Sequence, residues 1–168
     1  MKKGRSDSKT PYTFKSYDVV ENNATLISNK AMTIYNNTKF KNVVNMRDEA
    51  GERGLLKLIS QIEMYACPCK MQMVEIGSYA GASTIIFAKH FEKVISIDPI
   101  LNNYDPLDPT CKQADMAVVE QKYKQTIAPF PNITAIKALS DTAVKQVPNG
   151  LDFIYIDGCH TYAQVKKD

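Results

Sequence analysis

The sequence predicts an α/β fold in which a parallel β-sheet carries helices on both faces. Short apolar runs alternate with stretches of helical periodicity, which is the pattern of a parallel sheet with crossover helices. The first apolar run ends in a glycine-containing turn and a helix follows at once, as in nucleotide-type units. Glu75, Asp98 and Asp157 close three of the predicted strands. The C-terminal ends of parallel strands form the ligand-binding edge of such sheets.

The predicted elements follow one another from residue 47 onward. The first helix is predicted over residues 47–66, with an apolar stripe that includes Leu55, Leu56, Ile59, Ile62 and Met64. Pro68 ends it. The four strands are predicted at residues 71–76, 93–98, 133–138 and 151–157. Helices are predicted after Gly81, over residues 114–126, and over residues 141–147 with Ser140 as the N-cap.

Length and composition fit one folded domain. The chain has 168 residues, of which 44% are hydrophobic, enough for a packed core. Residues 1–16 are polar and basic and are predicted to form a flexible tail, so the single domain is predicted over residues 17–168. The net charge of +3 is explained by Lys2, Lys3, Arg5 and Lys9 against Asp7. The sequence therefore predicts no nucleic-acid-binding surface.

The location is predicted from what the chain lacks. No apolar run reaches the ~18 residues that a membrane span needs, and the polar N-terminus is not a signal peptide. The cysteines at positions 67, 69, 111 and 159 have no paired zinc-site spacing. We predict a cytoplasmic protein with reduced thiols and no membrane partner.

A glycine-containing loop is the central motif. Residues 74–84 read Val-Glu-Ile-Gly-Ser-Tyr-Ala-Gly-Ala-Ser-Thr. Gly77 lets the chain turn and Gly81 lets the backbone approach a ligand, which would face the N–H groups of the new helix. A dinucleotide fingerprint requires glycines where Tyr79 and Ala82 stand, which disfavours NAD. The alternative is a glycine turn that only links strand and helix.

The charge of the loop favours a cationic ligand. Glu75, just before the first glycine, repels phosphate but attracts the amino group and sulfonium of S-adenosylmethionine. The predicted cofactor-binding residues in this region are Glu75, Gly77, Ser78, Tyr79, Gly81 and Ser83.

Further residues of the predicted cofactor site lie at the ends of the other strands. Asp98 follows the glycine loop by about 20 residues, the position from which a carboxylate binds ribose hydroxyls. The alternative role for Asp98 is to start a turn before Pro99. Ser140 and Asp157 follow the third and fourth strands. Because all these strand ends share one edge, we predict that Asp98, Ser140 and Asp157 also bind the cofactor.

The motif Asp157-Gly158-Cys159-His160-Thr161-Tyr162 supplies the predicted catalytic groups. Asp157 offers oxygen ligands of the kind that Mg²⁺ prefers, and a metal lowers the pKa of a bound hydroxyl. His160 is the predicted proton acceptor, since imidazole titrates near neutral pH. The alternative is that Asp157 caps a turn and His160 is a surface residue.

Two of these stretches resemble class I S-adenosylmethionine-dependent methyltransferases. Residues 75–84 with Ile97-Asp98-Pro99, and residues 151–162, are similar to the O-methyltransferase group that includes macrolide sugar O-methyltransferases and cephalosporin-hydroxylase-like proteins. The resemblance covers roughly residues 71–168. It implies a Rossmann-like sheet of order 3-2-1-4 and O-methylation of a small-molecule or sugar hydroxyl.

The resemblance also implies roles for individual residues. Gly77, Ser78 and Gly81 would hold the methionine part of S-adenosylmethionine, and Asp98 its ribose. By similarity to metal-dependent relatives, Asp157 would be a Mg²⁺ ligand and His160 the general base. The acceptor pocket is predicted to be shaped by residues 17–45 and by the proline-rich loop at residues 99–109.

The chain departs from this family in one respect. Relatives continue with further strands, and the remaining metal-binding carboxylates come after the next one. We therefore expect an incomplete, C-terminally truncated fold whose fourth strand is an open apolar edge. The alternative function is a non-catalytic remnant or subunit that binds a completing chain, or a second copy, through this strand.

Overall fold

A computed structural model describes residues 47–102 and 114–168. The predicted tail at residues 1–16, the segment at 17–45 and most of the proline-rich loop lie outside the described residues. Within the two described ranges, no helix is long and apolar enough to cross a membrane.

One sheet of four parallel strands forms the centre of the described structure. Its strands are β1 (Gln72–Ile76), β2 (Lys93–Ile97), β3 (Ile133–Ile136) and β4 (Phe153–Ile156). The strand order is β3-β2-β1-β4, which confirms the predicted class and order. The register places Glu75 beside Ser96 on β2 and beside Tyr155 on β4.

Five helices connect or flank these strands in the described ranges. They are α1 (Glu49–Glu63), α2 (Ala82–His90), α3 (Met116–Ile127), α4 (Ser140–Ala143) and α5 (Tyr162–Val165). Asp48 caps α1 by accepting a hydrogen bond from the Gly51 N–H at 2.7 Å. This helix is shorter than predicted: it ends at Glu63, and Pro68 begins a separate turn of 3₁₀ helix.

The helices cover both faces of the sheet, as predicted. On one face, α1 and α2 pack against β1, β2 and β4 through a core that includes Leu55, Ile59, Phe87, Met73 and Val94. On the other face, Ala143 of α4 packs with side chains that include Val74, Ile95 and Ile136. The predicted stripe on α1 is partly wrong, because Leu56 and Met64 are exposed.

Two local predictions are overturned. Ser140 is the first residue of α4 and not its N-cap, a position held by Leu139 without a side-chain hydrogen bond. Cys67 and Cys69 form a disulfide with a Cα–Cα distance of 5.3 Å, so the prediction of reduced thiols is wrong for this pair. The 3₁₀ turn that begins at the buried Pro68 reverses the chain and brings the two exposed cysteines together.

Candidate functional site

The loop after β1 contains three residues in the left-handed backbone region. Their φ angles are +91° at Gly77, +47° at Tyr79 and +86° at Gly81. The Gly77 N–H donates to the Ile97 carbonyl at 2.9 Å, which fixes the start of the loop beside the end of β2. A tyrosine in this backbone region is uncommon and persists only where its surroundings hold it.

Gly77 also joins the loop to the chain that follows β4. A Cβ at Gly77 would lie 2.3 Å from the Asp157 carbonyl oxygen and 2.6 Å from the Gly158 Cα. The Asp157 N–H donates to the Ile76 carbonyl at 2.7 Å. The two motifs identified separately in the sequence therefore lie in direct contact.

Gly81, at the other end of the loop, is the N-cap residue of α2. A Cβ there would lie 3.2 Å from Cδ2 of Tyr123, on α3, and 3.5 Å from Cγ2 of both Thr126 and Ile127. The small size of Gly81 thus makes room for side chains of α3. Its predicted contact with the cofactor stays a prediction.

Asp98 holds the middle of the loop. Its Oδ2 accepts hydrogen bonds from the Ser78 N–H at 2.8 Å and the Tyr79 N–H at 2.7 Å. Its Oδ1 accepts from the Ile100 N–H at 2.7 Å. A carboxylate has about four acceptor sites, so this half-buried group retains capacity for a ligand hydroxyl.

Glu75 lies beneath the loop and is fully buried. Its carboxylate accepts hydrogen bonds from the hydroxyls of Ser83 and of Thr84, the latter at 2.5 Å. Burial raises the pKa of Glu75 to about 7, against the opposing effect of the Ser83, Thr84 and Ser78 hydroxyls. Glu75 and Ser83 are therefore bonded to each other in the interior, and they tie β1 to the first turn of α2.

Asp157 stands in a cluster of polar side chains just after β4. Its Oδ2 is paired with the Arg47 guanidinium and lies 3.4 Å from the Tyr155 hydroxyl. Its Oδ1 lies 3.5 Å from Nε2 of His160, whose side chain is 81% exposed. Burial, together with the Asp157 charge, raises the pKa of Tyr155, which keeps its phenol protonated as a donor.

Ser140 lies further along the same edge. Its hydroxyl donates to Oδ1 of Asp168, which also accepts from the Gln164 side-chain amide at 2.8 Å. Oδ2 of Asp168 would be 3.5 Å from a Cβ at Gly158, so this group reaches the turn after β4. The structure thus gathers Gly77, Ser78, Tyr79, Asp98 and Asp157 around one loop. Ser140 is bonded to Asp168, which lies next to the turn that follows β4.

Comparison with known proteins assigns the family. The family described as "Methyltransferase domain" matches residues 74–168, which is more than half of the chain. The chain belongs to this family. Its sheet order is that of the Rossmann-like class I methyltransferase fold.

One solved structure similar to this methyltransferase domain is that of cofactor-bound Rv0187 from MTB. The two chains share 17% sequence identity with a TM-score of 0.45. The similarity covers 87% of this chain and 56% of that chain, so this chain spans just over half of the other protein. A comparison with curated proteins finds no match.

The described residues of this methyltransferase domain do not form a Mg²⁺ site around Asp157. Among them, no group of three or more His, Cys, Asp or Glu side chains is placed to hold a metal ion. Mg²⁺ requires near-octahedral oxygen ligands, whereas Asp157 already faces the positive charge of Arg47. The sequence-based prediction of Asp157 as a metal ligand therefore receives no support from this geometry.

Sequence reasoning missed Arg47 and Tyr155 as members of this site. Arg47 precedes α1, and a Cβ at Gly51 would lie 3.1 Å from the Arg47 Cγ. A glycine within a helix costs about 1 kcal/mol relative to alanine, and here it leaves room for the arginine stem. This glycine is not a signal for Arg47, however, because Gly54 of the same helix has nothing within 4 Å of an added Cβ. The alternation along β4 places Tyr155 on the same face as Glu75.

Proposed function

We propose that this methyltransferase domain binds S-adenosylmethionine at the loop between Gly77 and Gly81 and at Asp98. The observation that carries the proposal is the placement of this loop between two strand-end acids. Asp98 accepts from two loop N–H groups, and the Asp157 backbone lies against Gly77. Asp98 is also partly exposed at the edge of the sheet where ligands of such folds bind.

We further propose that the methyl group passes to a hydroxyl oxygen of a small molecule or sugar. When bound, S-adenosylmethionine supplies an electrophilic methyl group: the O–CH₃ bond forms as the S–CH₃ bond breaks, leaving S-adenosylhomocysteine. The hydroxyl proton needs an acceptor near the reacting oxygen. His160 is exposed at the same edge, and Asp157 lies 3.5 Å from it. Asp157 would stabilise the imidazolium that forms, as a carboxylate does in other histidine bases.

Titration of the full chain with S-adenosylhomocysteine in a calorimeter tests the cofactor part of the proposal. Saturable heat is the expected result, and no heat at millimolar ligand would contradict cofactor binding. Release of S-adenosylhomocysteine from S-adenosylmethionine, measured over a panel of hydroxylated small molecules and sugars, tests the transfer. His160→Asn is expected to abolish turnover without weakening cofactor binding, because the side chain is largely exposed.

Association through β4 is a second candidate function. Within the described ranges β4 pairs only with β1, and its side chains Ile154 and Ile156 are 53% and 42% exposed. An exposed apolar strand at a sheet edge is a template for pairing with another chain. We therefore propose that a second copy of this chain binds here. Gel filtration with light scattering tests this, and a well-behaved monomer at high concentration would argue against it.

The predicted cytoplasmic location stays a prediction. The Cys67–Cys69 disulfide favours an oxidising compartment over the cytoplasm, because disulfides persist mainly in oxidising compartments.

A further inference from the structure

Three buried hydroxyls form a continuous hydrogen-bonded chain beneath the glycine loop. The Tyr123 hydroxyl donates to the Ser96 hydroxyl at 2.7 Å, and the Ser96 and Ser78 hydroxyls are bonded to each other. The Ser78 hydroxyl also lowers the pKa of the Glu75 carboxyl. All three side chains of the chain are buried, Tyr123 being the most accessible at 5% exposed.

All three hydroxyls of this chain can be satisfied together. Ser96 already receives the Tyr123 proton, so it can donate its own to Ser78. Each buried hydroxyl thereby has a partner, which avoids the cost of an unsatisfied polar group.

Tyr123 contacts both ends of the loop. Its ring packs on Gly81, where a Cβ would lie 3.2 Å from Cδ2. Its hydroxyl reaches Ser78, near the other end, through Ser96. The Ser78 hydroxyl is thus held inside the protein, while the Ser78 and Tyr79 N–H groups point to Asp98.

We propose that Tyr123 is a positioning residue that acts through Ser96 and Ser78 to hold the glycine loop in its binding conformation. This inference rests on the proposed function in so far as the loop binds S-adenosylmethionine. A loop with left-handed backbone at Tyr79 needs support from several sides to stay in place. Asp98 supports it from the edge of the sheet, and Tyr123 supports it from the interior.

The test compares Tyr123→Phe and Ser96→Ala with the exposed control Tyr65→Phe, since Tyr65 is 88% exposed. Tyr123→Phe keeps the ring against Gly81 and removes only the hydroxyl. S-adenosylhomocysteine affinity is expected to fall about fivefold in each of the first two variants, the scale of one hydrogen bond. The double variant is expected to bind no more weakly than the weaker single, because both break the same chain.

Amide hydrogen exchange in the ligand-free chain gives a second readout that does not depend on the cofactor. The amides of Ser78 and Tyr79 are expected to exchange faster in Tyr123→Phe, with those of β3 unchanged. If the unmodified chain binds the ligand but both variants bind within twofold of it, the inference is overturned. If the unmodified chain does not bind S-adenosylhomocysteine, the proposed function fails. The exchange rates of the Ser78 and Tyr79 amides then decide alone whether Tyr123 positions the loop. Exchange that is unchanged, or faster everywhere, overturns the positioning role.

Discussion

The backbone of Gly77 lies directly against the carbonyl group of Asp157. A Cβ at Gly77 would be 2.3 Å from the carbonyl oxygen and 2.5 Å from the carbonyl carbon, both far inside van der Waals contact. The glycine loop and the turn after β4 therefore form one packing unit. This contact places the proposed cofactor loop next to the turn that carries the proposed proton acceptor.

Gly77→Ala is expected to destabilise the protein strongly. A left-handed backbone costs about 1–2 kcal/mol for a residue with a Cβ, and overpacking adds about 1–3 kcal/mol. Gly150→Ala is the matched control, since Gly150 has a φ of +81° but nothing within 4 Å of the added Cβ. Urea unfolding is expected to show a loss of about 2–5 kcal/mol at Gly77 and about 1–2 kcal/mol at Gly150. Equal losses at the two positions would show that the close contact with the Asp157 carbonyl adds nothing to the cost of the Gly77 substitution.

Asp98→Asn is expected to weaken S-adenosylhomocysteine binding. Both carboxylate oxygens accept backbone N–H groups, so an amide nitrogen in either place would face a donor. The expected loss is about 1–3 kcal/mol of binding free energy, the scale of hydrogen bonds to charged groups. Calorimetry measures it directly.

Asp152→Asn is the control for this experiment. Asp152 accepts a hydrogen bond from the Gln72 N–H at 2.8 Å, but at the opposite end of β1. Its substitution is expected to lower stability without changing affinity. If both variants bind like the unmodified chain, Asp98 does not belong to the site.

Local sequence signals were sufficient to predict the four strands and the loop, whereas the strand order was implied by the resemblance to methyltransferases. Each strand is a short apolar run between turn residues, and these signals depend only on neighbours in the chain. The positions of Gly77 and Asp98 follow from the same local pattern. The predicted strands differ from the observed ones mainly at their ends, because hydrogen bonding to the neighbouring strand determines which residues belong to a strand.

Residues that act through distant partners could not be predicted in this way. Arg47 reaches Asp157 from 110 positions away, and Tyr123 reaches Ser96 from 27 positions away. The sequence predicted a helix over residues 114–126, but not that the Tyr123 hydroxyl within it has a buried partner. The charge of Glu75 suggested a ligand contact, whereas two hydroxyls of α2 occupy its oxygens in the interior.

The stability of the protein is expected to fall between about pH 4.5 and pH 7 because of Glu75. Burial raises its pKa to about 7 from an ordinary value of 4.5, so the folded chain binds this proton more tightly than the unfolded chain. The contribution of protonated Glu75 to the free energy of unfolding is complete below the pKa of the unfolded chain. It is lost as the pH rises through the pKa of the folded chain. Its upper limit is on the order of 3 kcal/mol.

Glu75→Gln tests this pH dependence. The groups that face Glu75 are the Ser78, Ser83 and Thr84 hydroxyls, which lower its pKa, and the Asp157 charge, which raises it. The variant is expected to show a flatter profile of unfolding free energy against pH. The exposed Glu92→Gln is the control and should follow the unmodified chain. If the unfolding free energies of Glu75→Gln and the unmodified chain changed with pH in the same way, Glu75 would not be the cause of the pH dependence.

A double-mutant cycle is expected to show strong coupling between Arg47 and Asp157. Their side chains are only 17% and 29% exposed, and a charge-assisted hydrogen bond of this kind is worth about 1.5–3 kcal/mol. The variants are Arg47→Met, Asp157→Asn and the pair, measured by urea unfolding. Asn keeps the size of Asp157 and leaves its backbone contact with Gly77 in place.

The Arg53–Glu49 pair is the control cycle, with side chains 65% and 85% exposed. Exposed pairs one helical turn apart are worth about 0.3–0.5 kcal/mol. If the Arg47–Asp157 coupling were no larger than this, the guanidinium would not hold the carboxylate firmly. Asp157 is expected not to bind Mg²⁺ in either case, because the described residues supply no group of metal ligands around it, and a Mg²⁺ titration by calorimetry checks this. Strong coupling together with no Mg²⁺ heat would assign Arg47 as the positive partner of Asp157 in this chain.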